Sequence, residues 1–435
     1  MTSLTQPPML DRTTPPPISR FGHLTLPHPT LSTLSNNLPL TVIENGADEI
    51  CRLSLIWERG GAEAMTMHHG AITALMMREG AGSRSAAEVA DTLEFNGAQL
   101  RIDVGAHTSR LELTATNSRL PHVLPAIVDI ITAPQFPAHE LGVVLENRAR
   151  ALEIERHKVG YHSRHAINAM MMGDNHPLAA EATPEAIRAV TRDEIVGTWQ
   201  TLFACGTPAT FLAGNVTPAI VDAVDRTIGA MSISPAPGRQ NIMPFTPAAP
   251  GTRVIERPGA LQSAVRIALP AIPREHPDYI PLRILVTALG GYFGSRLMLN
   301  IREDKGYTYG IQSNLLGYRE GSMTMIGSEC DNRYTRALID ETFGELDRLS
   351  SGDFTDAEIE RVRSYVMSQL AAVSDTPFSI CSYYENMILA NVPADYHEQQ
   401  QQALQAITPD SLARLADAYL RPSDARIAIA GDMKS

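Results

Sequence analysis

Midway along the chain, Met231–Gly251 gathers five prolines and two glycines with little apolar periodicity. Proline fixes φ and removes a backbone donor, so neither a helix nor a central strand runs through such a stretch. It reads as a linker, and it divides the 435 residues into two parts, each of ordinary domain size. Before it, strands are expected at Leu38–Glu44 and Cys51–Glu58, helices at about Gly70–Arg78 and Ser85–Phe95, and a hairpin from the alternating Gln99–Val104 and Arg110–Ala115. Helices over Pro121–Thr132, Ala138–His157, Arg164–Met172 and within Pro184–Phe203 follow, then strand Ala209–Gly214 and helix Thr217–Met231. After the linker the same order returns: strand Ser263–Leu269, helix Tyr279–Gly290, hairpin Thr308–Leu316 with Gly321–Ser328, and helices Tyr334–Leu349 and Asp356–Ala372. Ala209–Val216 is answered by Ala425–Asp432, each a strand ending at Gly plus a short polar residue. The expected fold class is α+β: two homologous halves, each a mostly antiparallel sheet with helices on one side. The boundaries read as a disordered leader 1–20, a first half 21–230, the linker 231–251 and a second half 252–435.

Composition narrows the function classes. An apolar share of 44% with 19% charged residues is that of a globular protein, and no apolar run is long enough for a membrane span. The formal charge of -12, with no concentrated basic face, argues against nucleic acid. Residues 1–20 have neither the basic start nor the apolar core of a signal peptide, and Pro7, Pro8 and Pro15–Pro17 would break a transit helix. Cys51, Cys205, Cys330 and Cys381 lie far apart without a C-x-x-C pair, which fits buried thiols in a reducing compartment; a cytoplasmic location is expected.

Three segments bear on chemistry. Gly70–Gly80 is followed by Arg84-Ser85-Ala86; Glu146–Glu155 is a charged helix; and Phe293-Gly294-Ser295-Arg296-Leu297 leads through Arg302-Glu303 to Gly306-Tyr307-Thr308-Tyr309. With the order of elements from about Leu38 to Asp432, these segments resemble the pitrilysin-type (M16) zinc peptidases. Active members carry H-x-x-E-H on one helix, because positions i and i+4 share a face and offer two imidazoles to one zinc while the Glu acts as general base. Aligned on Glu79-Gly80 and Arg84–Ala86, that motif falls on Ala71, Ala74 and Leu75, none of which has a lone pair for a metal. The third-ligand position falls on Glu153, alone too few to hold zinc. The resemblance further implies halves closing as a clamshell around a peptide chamber, with Arg302 and Tyr309 at the positions that reach bound peptide.

Other candidates carry less. His68 and His69 point about 100° apart on a helix, a poor geometry for joint ligands. His157, His162 and His165 form a second group after Glu153; His162 and His165, at i, i+3 spacing, could share a metal but lack a neighbouring acid. Glu153 is expected to pair with Arg150 or His157. Gly290, Gly291 and Gly294 open no phosphate loop, Met170–Met172 reads as core at a helix end, and Gln399–Gln402 as a polar helix face. What the resemblance implies is a non-catalytic subunit of a heteromeric metallopeptidase, a heterodimer or larger, with peptide as substrate. No cofactor is expected in this chain, zinc being carried by the partner, and no activity is expected from the chain alone. The alternatives are a scaffold or peptide-binding protein, or an autonomous peptidase with an unrecognised zinc site.

Overall fold

The computed structural model describes residues 13–14, 22–236, 238 and 242–433. The expected leader 1–20 lies almost entirely outside the described residues. The first half runs β1 (Thr30–Thr33), β2 (Pro39–Glu44), β3 (Ile50–Trp57), α1 (Met67–Met76), α2 (Ala86–Phe95), β4 (Gln99–Val104) and β5 (Ser109–Thr116). It continues with α3 (Leu120–Thr132), α4 (Ala138–Glu155), α5 (Val159–Met172), α6 (Pro184–Arg188), α7 (Arg192–Leu202), β6 (Ala209–Gly214) and α8 (Pro218–Thr227). The second half begins β7 (Gly251–Glu256), β8 (Gln262–Ala271) and α9 (Tyr279–Gly290). A π-helical turn over Met298–Asp304 then leads to β9 (Thr308–Gly317), β10 (Ser322–Asp331), α10 (Thr335–Ser350) and α11 (Asp356–Ala372). Next come α12 (Pro377–Leu389), α13 (Tyr396–Ala406), α14 (Pro409–Tyr419) and β11 (Arg426–Gly431).

Duplication is written into the strand order. The first sheet is β1-β2-β6-β3-β5-β4 and the second is β7-β11-β8-β10-β9. Apart from the extra edge strand β1, the two orders match strand for strand. In each, one pair is parallel (β2 with β6, β7 with β11) and the rest are antiparallel. The expected hairpins form with close to their expected bounds. Strands β1 and β7 were not anticipated, because both are exposed edges with too few apolar residues to show alternation. β7 begins where the linker was expected to end.

Each sheet buries both faces, and the two faces are covered from different halves. On the first sheet Leu53, Leu55, Leu111 and Leu113 point to the core built by its own helices. Ile43, Ile56, Phe211 and Ala213 point the other way, against Ile380 and Cys381 of α12, which comes from the second half. On the second sheet Val265, Ile267 and Leu269 meet their own helices. Ala268, Met323 and Ala428 meet Ile167, Met170 and Met171 of α5, lent by the first half. Helices on one side therefore describes what each half supplies to its own sheet, and the opposite face is closed by exchange. Burial of such side chains contributes roughly 1.5–3 kcal/mol each, enough to make the halves one packed unit.

The two exchanged helices are seated by different means. The α5 contact is apolar. Under α12 lies a charge cluster: Glu385, fully buried, is 3.0 Å from Arg110 and 3.7 Å from Arg52. Arg52 also donates to the Phe378 carbonyl at 2.8 Å and to the Ser382 hydroxyl at 3.0 Å. Burying these charges is tolerable only because each finds partners across the two halves. Burial, reinforced by the Glu385 charge, pushes the neighbouring Cys381 thiol up to about 12.

Candidate functional site

Helix α1 is capped by Thr66, whose hydroxyl accepts from the His69 backbone N–H and lies 2.8 Å from Nδ1 of both His68 and His69. It packs so close to the sheet that a Cβ on Gly70 would stand 2.7 Å from a Val104 methyl. Ala74 is 4% exposed and sits in the core, while Ala71 and Leu75 are half-buried. None of the three has a donor atom for a metal. The nearby imidazoles do not stand in for them. His69 Nε2 is 3.8 Å from Glu194, and burial lowers the basicity of both His68 and His69. The ring of His162 is spent on the Arg156 carbonyl at 2.8 Å, and that of His165 lies tilted against Tyr161, 4.3 Å between ring centres. Among the described residues no group of three or more His, Cys, Asp or Glu is placed to hold a metal ion.

Glu153 is exposed on α4 and is held by Arg188 of α6 at 2.9 Å. This corrects the expected pairing with Arg150 or His157. Arg188 also reaches Glu146 at 2.9 Å, and Arg150 takes the other Glu146 oxygen at 2.6 Å. Hydrogen bonds from Arg188 first, then Arg150, hold the Glu146 carboxyl down to about 2. A lone carboxylate already bonded to Arg188, with Ala71, Ala74 and Leu75 at the other motif positions, does not fit zinc.

The segment following α9 is divided between frame and free groups. α9 runs close against β9, where a Cβ on Gly290 would meet the Ser313 backbone N at 2.7 Å. Beyond it Leu297 and Ile301 are fully buried. Arg296 lies over the Phe354 ring at 4.7 Å, donates to Glu358 at 2.6 and 2.8 Å, and also donates to the Asp353 carbonyl. Asn300 donates to Glu345 at 2.7 Å and Glu341 at 3.1 Å. These four residues anchor the π-helical turn, a rare geometry that recurs at functional sites.

Arg302 leaves that frame. Its side chain is 32% exposed, 3.1 Å from Glu303 and stacked 4.7 Å from the Phe293 ring, which is itself 61% exposed. Tyr309, on the outer strand β9, is 92% exposed. It lines a cavity of about 460 Å³ with Gln262, Arg266, Gln312, Asn314 and Glu329. Among the described residues, no hydrogen bond or cation–π contact joins Arg302 to Tyr309. The polar wall of that cavity was missed by sequence reasoning, although Gln312 and Asn314 alternate with core-facing Ile311 and Ser313 in β9.

Between the halves lies a second cavity, of about 650 Å³, where the β4–β5 and β9–β10 turns meet. There Arg319 is 3.4 Å from Glu58, and His107 Nε2 is 3.1 Å from Glu320. Burial, with Arg319 and His176 nearby, lowers His107 to about 4, and burial raises Glu320, so both are pushed toward their neutral forms.

The sequence model of the peptidase M16 inactive domain matches residues 189–366. A probable inactive metalloprotease of Bacillus subtilis is 22% identical over 278 residues, 62% of this chain and 62% of that protein. An uncharacterized zinc protease of Streptomyces coelicolor is 23% identical over 301 residues, 66% of this chain and 64% of that protein. The chain thus spans less than two thirds of the length of the curated relatives it matches. Among solved structures, a peptidase M16 inactive domain from Pseudomonas fluorescens superposes with a TM-score of 0.82 at 19% identity, over 93% of this chain and 98% of that one. A protease from Helicobacter pylori gives 0.78 at 14% identity, over 93% and 100%. The periplasmic protease PqqL of Escherichia coli gives 0.76 at 16% identity, over 94% of this chain and 46% of that one. Family-model match, duplicated fold and first helix point the same way: residues 189–366 match the peptidase M16 inactive domain, the whole chain has the fold of the solved M16 structures, and its first helix lacks the H-x-x-E-H motif.

Proposed function

We propose that this chain is the non-catalytic subunit of a heteromeric M16-type metallopeptidase, completing the peptide chamber and presenting Arg302 and Tyr309 to a zinc-bearing partner. The observation that carries this reading is Tyr309: a phenol 92% exposed on an edge strand, on a segment whose neighbouring residues are tightly anchored. Guanidinium and phenol both donate hydrogen bonds, and a peptide carbonyl gaining negative charge is what such donors favour. In an assembly of this chain alone the two donors would face only helices carrying Ala71, Ala74 and Leu75. The partner is therefore a chain with an intact H-x-x-E-H, in a heterodimer or a tetramer of two such pairs. The halves 21–230 and 252–435 form the walls of the chamber, and 231–251 connects them. A cytoplasmic setting is supported by four free cysteines. No helix among the described residues is long and apolar enough to cross a membrane.

A second reading, a scaffold or peptide-binding protein, is favoured by the Glu303 and Phe293 contacts that hold Arg302 within its own chain. The test is to mix the purified chain with a zinc-bearing M16 chain and follow cleavage of unstructured peptides. Turnover that needs both chains, with no stoichiometric zinc in this one by elemental analysis, is expected. Peptide binding without gain in turnover would favour the scaffold. Near-unit zinc with chelator-sensitive cleavage by this chain alone would overturn both in favour of an autonomous peptidase.

A further inference from the structure

A third cavity, of about 590 Å³, opens in the first half, away from Arg302 and Tyr309. Its walls are aromatic and held in place. Trp57 meets Phe203 edge-on at 5.3 Å, and Trp199 donates its indole N–H to the Ile131 carbonyl at 3.0 Å while resting 6.1 Å from Phe136. Val128, Ile131, Met231 and Ile233 add apolar lining, and Thr132 and Thr227 line it too, their hydroxyls donating to the Val128 and Ala223 carbonyls of their own helices. Trp57 and Trp199 are the only two tryptophans in the chain. At the rim stand Gln200, Ser232 and Ser234. Ser234 belongs to the proline-rich connection, and its carbonyl accepts from the Gly206 N–H at 2.8 Å, fixing that strand of chain across the mouth.

The lining contains no Asp, Glu, Lys, Arg or His. This sets it apart from the two cavities described above. The one beside Tyr309 holds Arg266 and Glu329, and the one between the halves holds Glu58, Arg274, Glu275 and Arg319. In a chain of net charge -12, an ionisable-free cavity admits uncharged molecules and rejects ions, which would lose hydration without gaining a partner. Its volume falls within the roughly 300–1,000 Å³ of small-molecule sites, and preformed aromatic walls with few polar groups at one end are their usual composition. We infer that this cavity is a binding site for a neutral, largely apolar small molecule, aromatic or aliphatic, with one hydrogen-bonding end directed to Gln200, Ser232 and Ser234. This goes beyond the peptide-chamber reading and does not depend on it.

The two tryptophans make the test direct. The full chain is titrated with N-phenyl-1-naphthylamine, an uncharged aromatic probe, and with its anionic relative 1-anilinonaphthalene-8-sulfonate. Expected is saturable, one-to-one binding of the neutral probe with energy transfer from tryptophan, at least tenfold tighter than the anion. Ala204→Phe fills the cavity from its wall and should weaken binding of the neutral probe at least tenfold. Ser232→Phe alters only the exposed rim, and should do the same if Ala204→Phe lowers the thermal midpoint. Trp199→Phe should reduce the energy transfer from tryptophan to bound probe. Unsaturable binding, equal affinity for the anion, or binding indifferent to both blocking variants would overturn the assignment.

Discussion

Helix α1 and the segment from Phe293 to Tyr309 are the two places where the resemblance to M16 peptidases locates chemistry, and in this chain they are built in opposite ways. In α1 the positions that would hold ligands have joined the packing: Ala74 is 4% exposed, between Ile72 and Met76, which are fully buried. In the later segment, packing and chemistry are assigned to different residues. Leu297 and Ile301 are buried and Arg296 and Asn300 are held by hydrogen bonds, whereas Arg302 is part-exposed and Tyr309 almost wholly exposed. The lesson is that the two regions should respond differently to mutation. Changes in α1 should be felt as stability, and changes at Arg302 or Tyr309 as function with stability intact.

The largest expected effect tests the second region. In an assembled pair with a zinc-bearing M16 chain, Arg302→Ala or Tyr309→Phe is expected to lower kcat by about 10²–10³, roughly 3–4 kcal/mol, if each acts as a donor to a developing oxyanion. The thermal midpoint should stay near wild type. Unchanged kcat in both variants would remove the contrast and leave Arg302 and Tyr309 as surface residues. Next comes the first region: Ala74→Glu places a carboxyl group at a buried position without a partner, at a cost of at least about 1–3 kcal/mol even when it is protonated. Calorimetry of the chain alone checks it, with half-buried Leu75→Gln as the milder control. Equal midpoints for Ala74→Glu and wild type would mean that α1 still keeps a polar cavity.

Smaller effects sharpen the picture. Phe293→Ala removes the ring beneath Arg302, and an exposed cation–π contact is worth roughly 0.5–1 kcal/mol. A severalfold drop in kcat of the pair is expected, well short of the Arg302→Ala loss; a drop as large as that loss would make Phe293 itself a peptide contact. The smallest effect is local to α4. Arg188→Ala should raise the Glu146 carboxyl from about 2 toward its ordinary value near 4.5, as followed by NMR titration. The sign follows from the lowered folded-state value. Glu146 supports the fold above about pH 4.5 and loses that support as pH falls toward 2, so the variant should show a shallower acid limb. Stoichiometric zinc binding in that variant would show that Arg188, rather than the missing histidines, blocks Glu153.

By itself the sequence determined the losses and the repeat. That Ala71, Ala74 and Leu75 offer no ligand is a property of the side chains wherever they lie, and the two runs of strands and helices are visible in short windows because periodicity is local. The strand bounds of the β4–β5 hairpin were legible for the same reason. Only the tertiary structure decided which groups meet. Arg52 and the α12 hydroxyl it donates to, Ser382, are 330 residues apart, and Glu153 finds its partner in Arg188, 35 residues on, rather than in its own helix. The exchange of α5 and α12 was equally hidden, because a helix pattern shows which stripe must be buried and says nothing of which sheet will bury it. The exposure of Tyr309 belongs to this second kind as well, since the alternation of β9 fixes a residue's face while the neighbours that cover or bare that face come from elsewhere in the chain.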